Sequence, residues 1–166
     1  MSRPVVGIVM GSDSDLPVMR ETAAVLQRLD VPFEITVASA HRSPERAAEY
    51  ARTAAARGLR VIVAAAGGAA HLAGVMAAHT TLPVVGVPLA GPTLGGLDAL
   101  LSTAQMPPGV PVGTMAIGGW GAQNAGWFAA QVLALSDPAL ASRLQEHKAA
   151  MARAVEDKAR RVTEAL

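Results

Sequence analysis

The sequence predicts a three-layer α/β/α sandwich built on a five-stranded, parallel, doubly wound sheet, with an extra C-terminal helix. Three observations support this fold class. Short apolar runs recur five times along the 166 residues, and most are continuously apolar, as expected of strands that are covered on both faces. Each run is followed by a segment whose apolar residues have helical spacing. The connections are long enough for crossovers between parallel strands.

Strands and helices alternate in a regular order. In the first helix, Leu16, Met19 and Leu26 fall on one face. The second helix begins at Pro44, a residue suited to the first helical position, and ends before Gly58, which suits the position after a helix. The predicted strands are residues 5–10, 32–38, 59–65, 83–87 and 112–117, and the helices that follow them are residues 16–29, 44–57, 69–79, 94–103 and 122–135. We class the predicted sheet as flavodoxin-like.

A sixth helix follows directly, from Asp137 and Pro138 to Leu166, with no strand after it. Ten charged residues fall between Arg143 and Glu164, and apolar residues repeat among them at helical spacing. Because so long a helix exceeds what one face of a small sandwich can cover, we expect residues 137–166 to pack on a neighbouring subunit. The alternative is a helix that lies back on its own domain. The apolar stripe consists of Leu140, Leu144, Met151, Val155, Val162 and Leu166.

Composition excludes several classes of function. Fourteen basic against thirteen acidic residues leave the chain nearly neutral, and five aromatic side chains offer little for base stacking, so nucleic acid is not an expected partner. The absence of cysteine excludes disulfides, thiolate metal sites and a cysteine nucleophile. The N-terminal residues read as a short strand and turn rather than a signal peptide, which favours a cytoplasmic protein.

Charge is missing from the middle of the chain, where Asp98 is the only Asp, Glu, Lys or Arg between Val61 and Leu135. A membrane helix is one interpretation of residues 61–78. Against it, Gly67, Gly68 and His71 interrupt the run, which also divides into a β-branched half and an alanine-rich half. A buried core together with subunit interfaces explains the missing charges better, so we expect a homo-oligomer and no membrane span.

Three loops carry the residues with chemical potential, and each follows one of the first three predicted strands. They are residues 11–15 (GSDSD), 39–42 (SAHR) and 66–71 (AGGAAH). Ligands of open α/β sheets bind at the carboxyl ends of the strands. In the second loop His41 can exchange a proton near neutral pH, and Arg42 can hold an anion through two parallel hydrogen bonds. We therefore expect His41 to perform acid–base chemistry while Arg42 holds a phosphorylated substrate.

Each loop also has a purely structural interpretation. Serine and aspartate cap helices, glycines allow a helix to pack closely on a strand, and an isolated histidine such as His71 is often a satisfied core residue. No phosphate-loop, dinucleotide-binding or nucleophile-elbow pattern is present in the sequence. The histidines and aspartates also lack the local spacing of a metal site. From spacing alone, a catalytic role for His41 is one of two open interpretations.

The three loops, in this order and spacing, resemble those of a known enzyme family. Together with QMPPGVPVGT at residues 105–114 and AQNA at residues 122–125, they are similar to the catalytic subunit of phosphoribosylaminoimidazole carboxylase in purine (IMP) biosynthesis. The resemblance covers essentially the whole chain. It implies a single catalytic domain over residues 1–166 and a flavodoxin-like fold.

The family contains two kinds of enzyme. Arg42 and His71 match the kind that isomerises N5-carboxyaminoimidazole ribonucleotide, moving the carboxylate from N5 to ring carbon C4. The resemblance implies that CO2 is released and recaptured, that the residue matching His41 protonates the nitrogen and later removes the C4 proton, and that no cofactor or metal takes part. The other kind carboxylates aminoimidazole ribonucleotide directly and is the first alternative. A nucleotide-binding module without catalysis is the second.

By position, the resemblance assigns roles to further residues and implies partners. Arg42 takes the phosphate and Asp15 the ribose hydroxyls. Family members are typically octamers, and an ATP-dependent N5-carboxyaminoimidazole ribonucleotide synthetase makes their substrate. The implied catalytic residues are His41 and His71, and the implied substrate-binding residues are Ser12, Ser14, Asp15, Ser39, Arg42, Gly67, Gly68 and Leu72.

Overall fold

The computed structural model describes residues 3–165 as alternating strands and helices. A short 3-10 turn at Asp13–Asp15 precedes the first helix. The strands are β1 Val6–Met10, β2 Phe33–Val37, β3 Val61–Gly67, β4 Val84–Leu89 and β5 Gly113–Thr114. The helices are α1 Leu16–Arg28, α2 Pro44–Ala54, α3 Leu72–Ala78, α4 Leu97–Ala104, α5 Gly119–Ala134 and α6 Pro138–Glu164.

All pairings in the sheet are parallel, and the strand order is β2-β1-β3-β4-β5. In register, Val6 of β1 lies opposite Phe33 of β2 and Val61 of β3. The chain therefore places β2 on one side of β1 and then crosses to β3 on the other. This order confirms the predicted fold class, and it makes the carboxyl ends of β1, β2 and β3 the place where a ligand crevice opens.

Helices cover both faces of the sheet within the first 130 residues. On one face α1 meets the first part of α5, where the Thr22 hydroxyl donates to the Ala122 carbonyl at 2.7 Å and Gly126 lies against Val25. On the other face, α3 and α4 converge over Gly86 of β4 through Ala73 and Thr103.

Small side chains hold α2 and α3 close to the sheet. Ala47, Ala51 and Ala54 of α2 pack with Val9 and Ile62 in one buried cluster. The continuously apolar strands β1, β3 and β4 form the centre of the core, as their sequences predicted.

Five elements differ from the prediction by three residues or more at one end. α2 ends at Ala54 rather than at residue 57, and α4 begins at Leu97 rather than at residue 94, after the left-handed Gly95 and Gly96. α5 begins at Gly119 rather than at residue 122.

In the other two elements, a strand and a helix, glycine and proline cause the difference. The predicted strand at residues 112–117 is reduced to two residues, since Pro111 has no N–H to offer and Gly118 turns the chain at φ +72°. The predicted helix at residues 69–79 begins only at Leu72. Gly68 adopts φ +60°, and tight turns occupy the residues up to His71. His71 is therefore a cap residue in a loop.

Contacts within the chain divide it into two compact units, one ending at Ala130 and the other beginning at Gln131. In the second unit the Asp137 carboxylate caps α6 by accepting a hydrogen bond from the Leu140 amide at 3.0 Å. The predicted helix is thus present to Glu164, and Leu166 lies outside the described residues. Residues 148–165 are all exposed. The single domain and the packing of α6 on a neighbouring subunit remain predictions.

None of the helices between residues 3 and 165 combines the length and apolarity needed to cross a bilayer.

Candidate active site

The three loops singled out in the sequence meet around one cavity of about 370 Å³ at the carboxyl edge of the sheet. Eight of the ten predicted site residues line it, while Ser14 and Gly68 are not among the lining residues. Four lining residues were not predicted, namely Gly11, Ala40, Ala66 and Ala69. The lining consists of Gly11, Ser12, Asp15, Ser39, Ala40, His41, Arg42, Ala66, Gly67, Ala69, His71 and Leu72.

The loop after β1 is held by its own serines and aspartates. The Ser12 amide donates to Asp15 Oδ2 at 3.1 Å, and the Ser14 hydroxyl donates to Ser12 Oγ at 2.9 Å. Ser12 and Asp15 together form a capping box around the 3-10 turn. The structural interpretation of GSDSD is therefore correct, and it coexists with the placement of Ser12 and Asp15 at the cavity.

The Asp15 carboxyl is half-buried between the cavity and its loop. Burial raises its pKa above the ordinary aspartate value, and the hydrogen bonds from Ser12 and Ser14 and the charge of Arg42 offset the rise only in part. A carboxylate that is incompletely satisfied in the folded protein is well suited to accept hydrogen bonds from hydroxyl groups of a ligand.

The loop after β2 closes on itself between Ser39 and Ser43. The Ser39 amide donates to Ser43 Oγ at 3.0 Å, and the Ser43 amide donates back to the Ser39 carbonyl at 2.9 Å. This compact turn presents His41 and Arg42 at its tip. Both side chains are exposed at the mouth of the cavity.

Arg42 bridges the first two loops. Its Nη2 donates to the Gly11 carbonyl at 2.7 Å, and its Nε lies 3.5 Å from Ser39 Oγ. A guanidinium group has five N–H donors, so three remain available for an anion. The same side chain borders a second depression of about 380 Å³, which shares Gly11, Ser12 and Ser39 with the first. Arg42 therefore stands where the two depressions join.

His41 and His71 form a direct hydrogen bond, with His41 Nε2 2.8 Å from His71 Nδ1. Their ring planes are nearly perpendicular, at 88°. Because one ring must donate and the other accept, the bond couples the tautomers of the two imidazoles. It also leaves the second nitrogen of each ring for a ligand.

The wall formed by the end of β3 and the start of α3 is small and apolar. Ala66, Gly67 and Ala69 line the cavity, and Leu72 is almost completely buried behind them. The side chains on this wall cannot donate or accept hydrogen bonds. The cavity thus has one polar side and one apolar side.

The unpredicted lining residues are small members of the loops already identified. Gly11, Ala40, Ala66 and Ala69 have no functional group of their own, so residue chemistry alone could not single them out. Their position next to polar residues of the same motifs was the available signal. Within residues 3–165, no group of three or more His, Asp or Glu side chains converges as a metal site requires.

Comparison with known proteins agrees with these motifs. A family model described as AIR carboxylase matches residues 5–154. The chain is 53% identical over 162 residues to a protein of Pyrococcus horikoshii named N5-carboxyaminoimidazole ribonucleotide mutase, covering 98% of this chain and 90% of that protein. A Thermotoga maritima protein of the same name is 53% identical over 159 residues, covering 96% of this chain and 92% of that protein.

Among solved structures, Treponema denticola PurE matches with a TM-score of 0.84, covering 93% of this chain and 96% of that one. At 24% identity, this likeness supports the fold alone. The family match, by contrast, spans most of the chain, and this chain shares more than half of its aligned residues with each of the two named relatives. The chain belongs to the AIR carboxylase family, as its motifs predicted.

Proposed function

We propose that this protein is an isomerase of purine biosynthesis that moves the carboxylate of N5-carboxyaminoimidazole ribonucleotide from N5 to C4. The product is 4-carboxy-5-aminoimidazole ribonucleotide. The names and the identity of the relatives support this activity. The observation that carries the mechanism is the His41–His71 hydrogen bond, which lies in one cavity with Arg42 and the apolar wall.

The reaction needs one proton delivered and one removed. When the N5–C bond breaks and CO2 leaves, His41 gives a proton to N5. C4 then attacks CO2 to form the new C–C bond, and His41 takes the proton that C4 loses. The two proton transfers cancel, so His41 and His71 return to their starting protonation state without a cofactor or metal. His71 fixes the orientation and tautomer of His41 and contacts the substrate with its free nitrogen.

The polar side of the cavity binds the nucleotide. Arg42 takes the phosphate with its remaining donors, aided by the hydroxyls of Ser12 and Ser39. Asp15 accepts hydrogen bonds from the ribose hydroxyls. Ser14 acts from behind, since its hydroxyl donates to Ser12 Oγ.

The apolar wall holds CO2 between the two bond changes. Ala66, Gly67, Ala69 and Leu72 offer a surface that does not order water and that a small neutral molecule can occupy. Gly68 supports this wall through its left-handed turn. Such a surface limits escape and hydration of CO2 before C4 attacks it.

We further propose that the protein works as a cytoplasmic homo-oligomer, with the octamer typical of its relatives as the expected form. Its substrate comes from the ATP-dependent synthetase that carboxylates N5. Large exposed apolar side chains support an assembly, among them Trp120 (82% exposed) and Leu135 (89% exposed).

His41→Asn tests the chemistry. We expect the variant to bind the product ribonucleotide within about threefold of wild-type affinity and to lose at least about a hundredfold in turnover, the scale of a lost acid–base group. Unchanged turnover would remove His41 from its role.

Separate assays with each substrate test the reaction type. The protein should convert N5-carboxyaminoimidazole ribonucleotide without ATP. Equal rates with aminoimidazole ribonucleotide and bicarbonate would instead support a direct carboxylase, and binding without either reaction would support a nucleotide-binding module.

A further inference from the structure

Arg46 reaches back from the first turn of α2 to the carboxyl end of β2. Its Nε donates to the Val37 carbonyl at 2.8 Å, and its Nη2 donates to Thr36 Oγ1 at 3.1 Å. The planar guanidinium thus engages two acceptors on neighbouring residues of one strand. Arg46 is not one of the described residues that line the two depressions.

This contact occupies the open edge of the sheet. The order β2-β1-β3-β4-β5 leaves β2 with a strand neighbour on one side only. On that side the Ala38 amide donates to the Met10 carbonyl of β1 at 3.0 Å. In a trans peptide the preceding carbonyl points the opposite way, so the Val37 carbonyl faces outward, where Arg46 donates to it. The peptide between Val37 and Ala38 is therefore held from both sides.

The held peptide is the base of the turn that carries His41. Ser39 follows it directly, and the Ser39–Ser43 hydrogen bonds close the turn up to the start of α2. Arg46 joins the two ends of this turn, since its backbone belongs to α2 and its side chain binds β2. A change in the distance between β2 and α2 therefore shifts the tip of the turn, where His41 Nε2 lies only 2.8 Å from His71 Nδ1.

We propose that Arg46 is a positioning residue for the reaction. It keeps the imidazole of His41 within hydrogen-bond distance of His71 by clamping β2 to α2, and it makes no contact with substrate. This inference rests on the proposed role of His41. A displacement of about one ångström at a reacting group can cost about a hundredfold in rate, so the clamp bears directly on turnover.

Arg57 provides a matched control. It lies three residues beyond Ala54, the last residue of α2, and ties that end of the helix to the start of β2 through an ion pair with Glu34. Arg57→Gln removes that ion pair and leaves the turn at residues 39–43 untouched. The two arginines thus separate general support of β2 from support of the catalytic turn.

The test compares Arg46→Met and Arg57→Gln by thermal unfolding, turnover, product binding and histidine-selective imidazole NMR. For Arg46→Met we expect turnover to fall at least about tenfold, product affinity to change less than turnover, and the imidazole signals of the His41–His71 pair to lose their hydrogen-bonded signature. Arg57→Gln should lower the unfolding temperature and keep both turnover and imidazole signals. Arg46→Lys should recover part of the loss, since an ammonium can reach the Val37 carbonyl.

Three results would overturn the proposal. They are wild-type turnover with wild-type imidazole signals in Arg46→Met, an equal loss of turnover in Arg57→Gln, and a loss of product affinity as large as the loss of turnover. If Arg46→Met does not fold, the same criteria apply to Arg46→Ala, since alanine favours the helix and removes both contacts. The imidazole signals are read in the free enzyme, so they test the clamp even if His41→Asn shows that the proposed function is wrong.

Discussion

The hydrogen bond between His41 and His71 joins rings that lie 30 residues apart in the chain. His71→Phe keeps a ring of similar size and removes both nitrogens. We expect turnover to fall by about tenfold to a hundredfold, as when partners that orient metal-binding histidines are removed, and therefore less than in His41→Asn. Steady-state kinetics on both variants measures the difference.

His79→Phe is the control for this prediction. His79 ends α3, is exposed and does not line the cavity, so this change should leave turnover within about twofold, a difference well below 1.4 kcal/mol in barrier height. If His71→Phe also stayed within that range, the hydrogen bond between the two rings would have no part in catalysis.

Asp15 links the site to the pH dependence of stability. Its raised pKa means that the folded protein binds this proton more tightly than the unfolded chain does. The resulting stabilisation is fully present below the pKa of aspartate in the unfolded chain, which is about 4. It is lost as the pH rises through the pKa of Asp15 in the folded protein. Asp15→Asn stays neutral throughout. We expect the unfolding temperature of Asp15→Asn minus that of the wild type to become more positive from pH 4 to pH 7. Nucleotide binding by the variant should be weaker.

Thermal unfolding at a series of pH values checks this prediction, with a binding titration for the nucleotide. A variant that becomes less stable than wild type as the pH rises would show that the hydrogen bond from the Ser12 amide outweighs burial.

Much of the site could be read from single residues, because proton carriers and anion binders are few in this chain. His41 and Arg42 were predicted from their residue types and their places after a strand, Asp15 was predicted from the family resemblance, and all three line one cavity. The bonds from His41 to His71 and from Arg42 to the Gly11 carbonyl could not be predicted. They depend on side-chain directions that arise only when three loops are assembled.

Between elements, α1 and α5 approach each other closely at Gly126. A Cβ atom added at Gly126 would lie 2.9 Å from Val25 Cβ and 3.0 Å from the Thr22 carbonyl oxygen. Alanine favours a helix over glycine by about 1 kcal/mol, but here the overlap forces the helices apart. We expect Gly126→Ala to lower the free energy of unfolding by about 1–3 kcal/mol, the usual cost of overpacking.

Gly119→Ala in the same helix separates helix propensity from packing. A Cβ atom at Gly119 meets nothing within 4 Å, so this change should be neutral or stabilising. Denaturant titration measures both. Equal stabilisation by the two changes would mean that α1 and α5 have room to separate.

The elements that the sequence predicted well are those with strong patterns. β1 and β3 are continuous apolar runs, and α2 begins at Pro44 as predicted. The misplaced boundaries lie where few side chains are buried. β5 is short because Pro111 precedes it without an N–H and Gly118 turns the chain after it, and α3 begins late because Gly68 adopts a left-handed conformation that no apolar spacing reveals.

At the scale of the whole molecule, the segment from Val61 to Leu135, which is nearly free of charged residues, is buried in some places and exposed in others. Residues 61–65 and 84–89 are buried in the sheet. Leu94, Leu97 and Leu101 are at the surface, each at least 48% exposed, in a stretch where Asp98 is the only Asp, Glu, Lys or Arg. Burial in one chain therefore accounts for only part of the pattern, and the proposed assembly accounts for the rest.

The same reasoning applies to α6, where Met151, Val155 and Val162 follow one face at helical spacing and remain 47–65% exposed in the single chain. Burying a valine side chain is worth about 1.5 kcal/mol or more, and in a symmetric assembly every copy contributes. A charge on this face would have to be buried without a partner. We therefore expect the double variant Val155→Asp, Val162→Asp to dissociate into smaller species with reduced activity.

Native mass spectrometry and light scattering measure the outcome, with Arg153→Asp as the matched control. Arg153 is on the same helix but lies two residues from Met151, and hence on nearly the opposite face. Arg153→Asp should therefore leave the mass of the assembly unchanged. Because an apolar face that binds a partner tolerates no unpaired charge, an unchanged mass in the double variant would exclude this face of α6 from the interface. The interface would then have to be built from other exposed apolar side chains, such as Trp120 and Leu101.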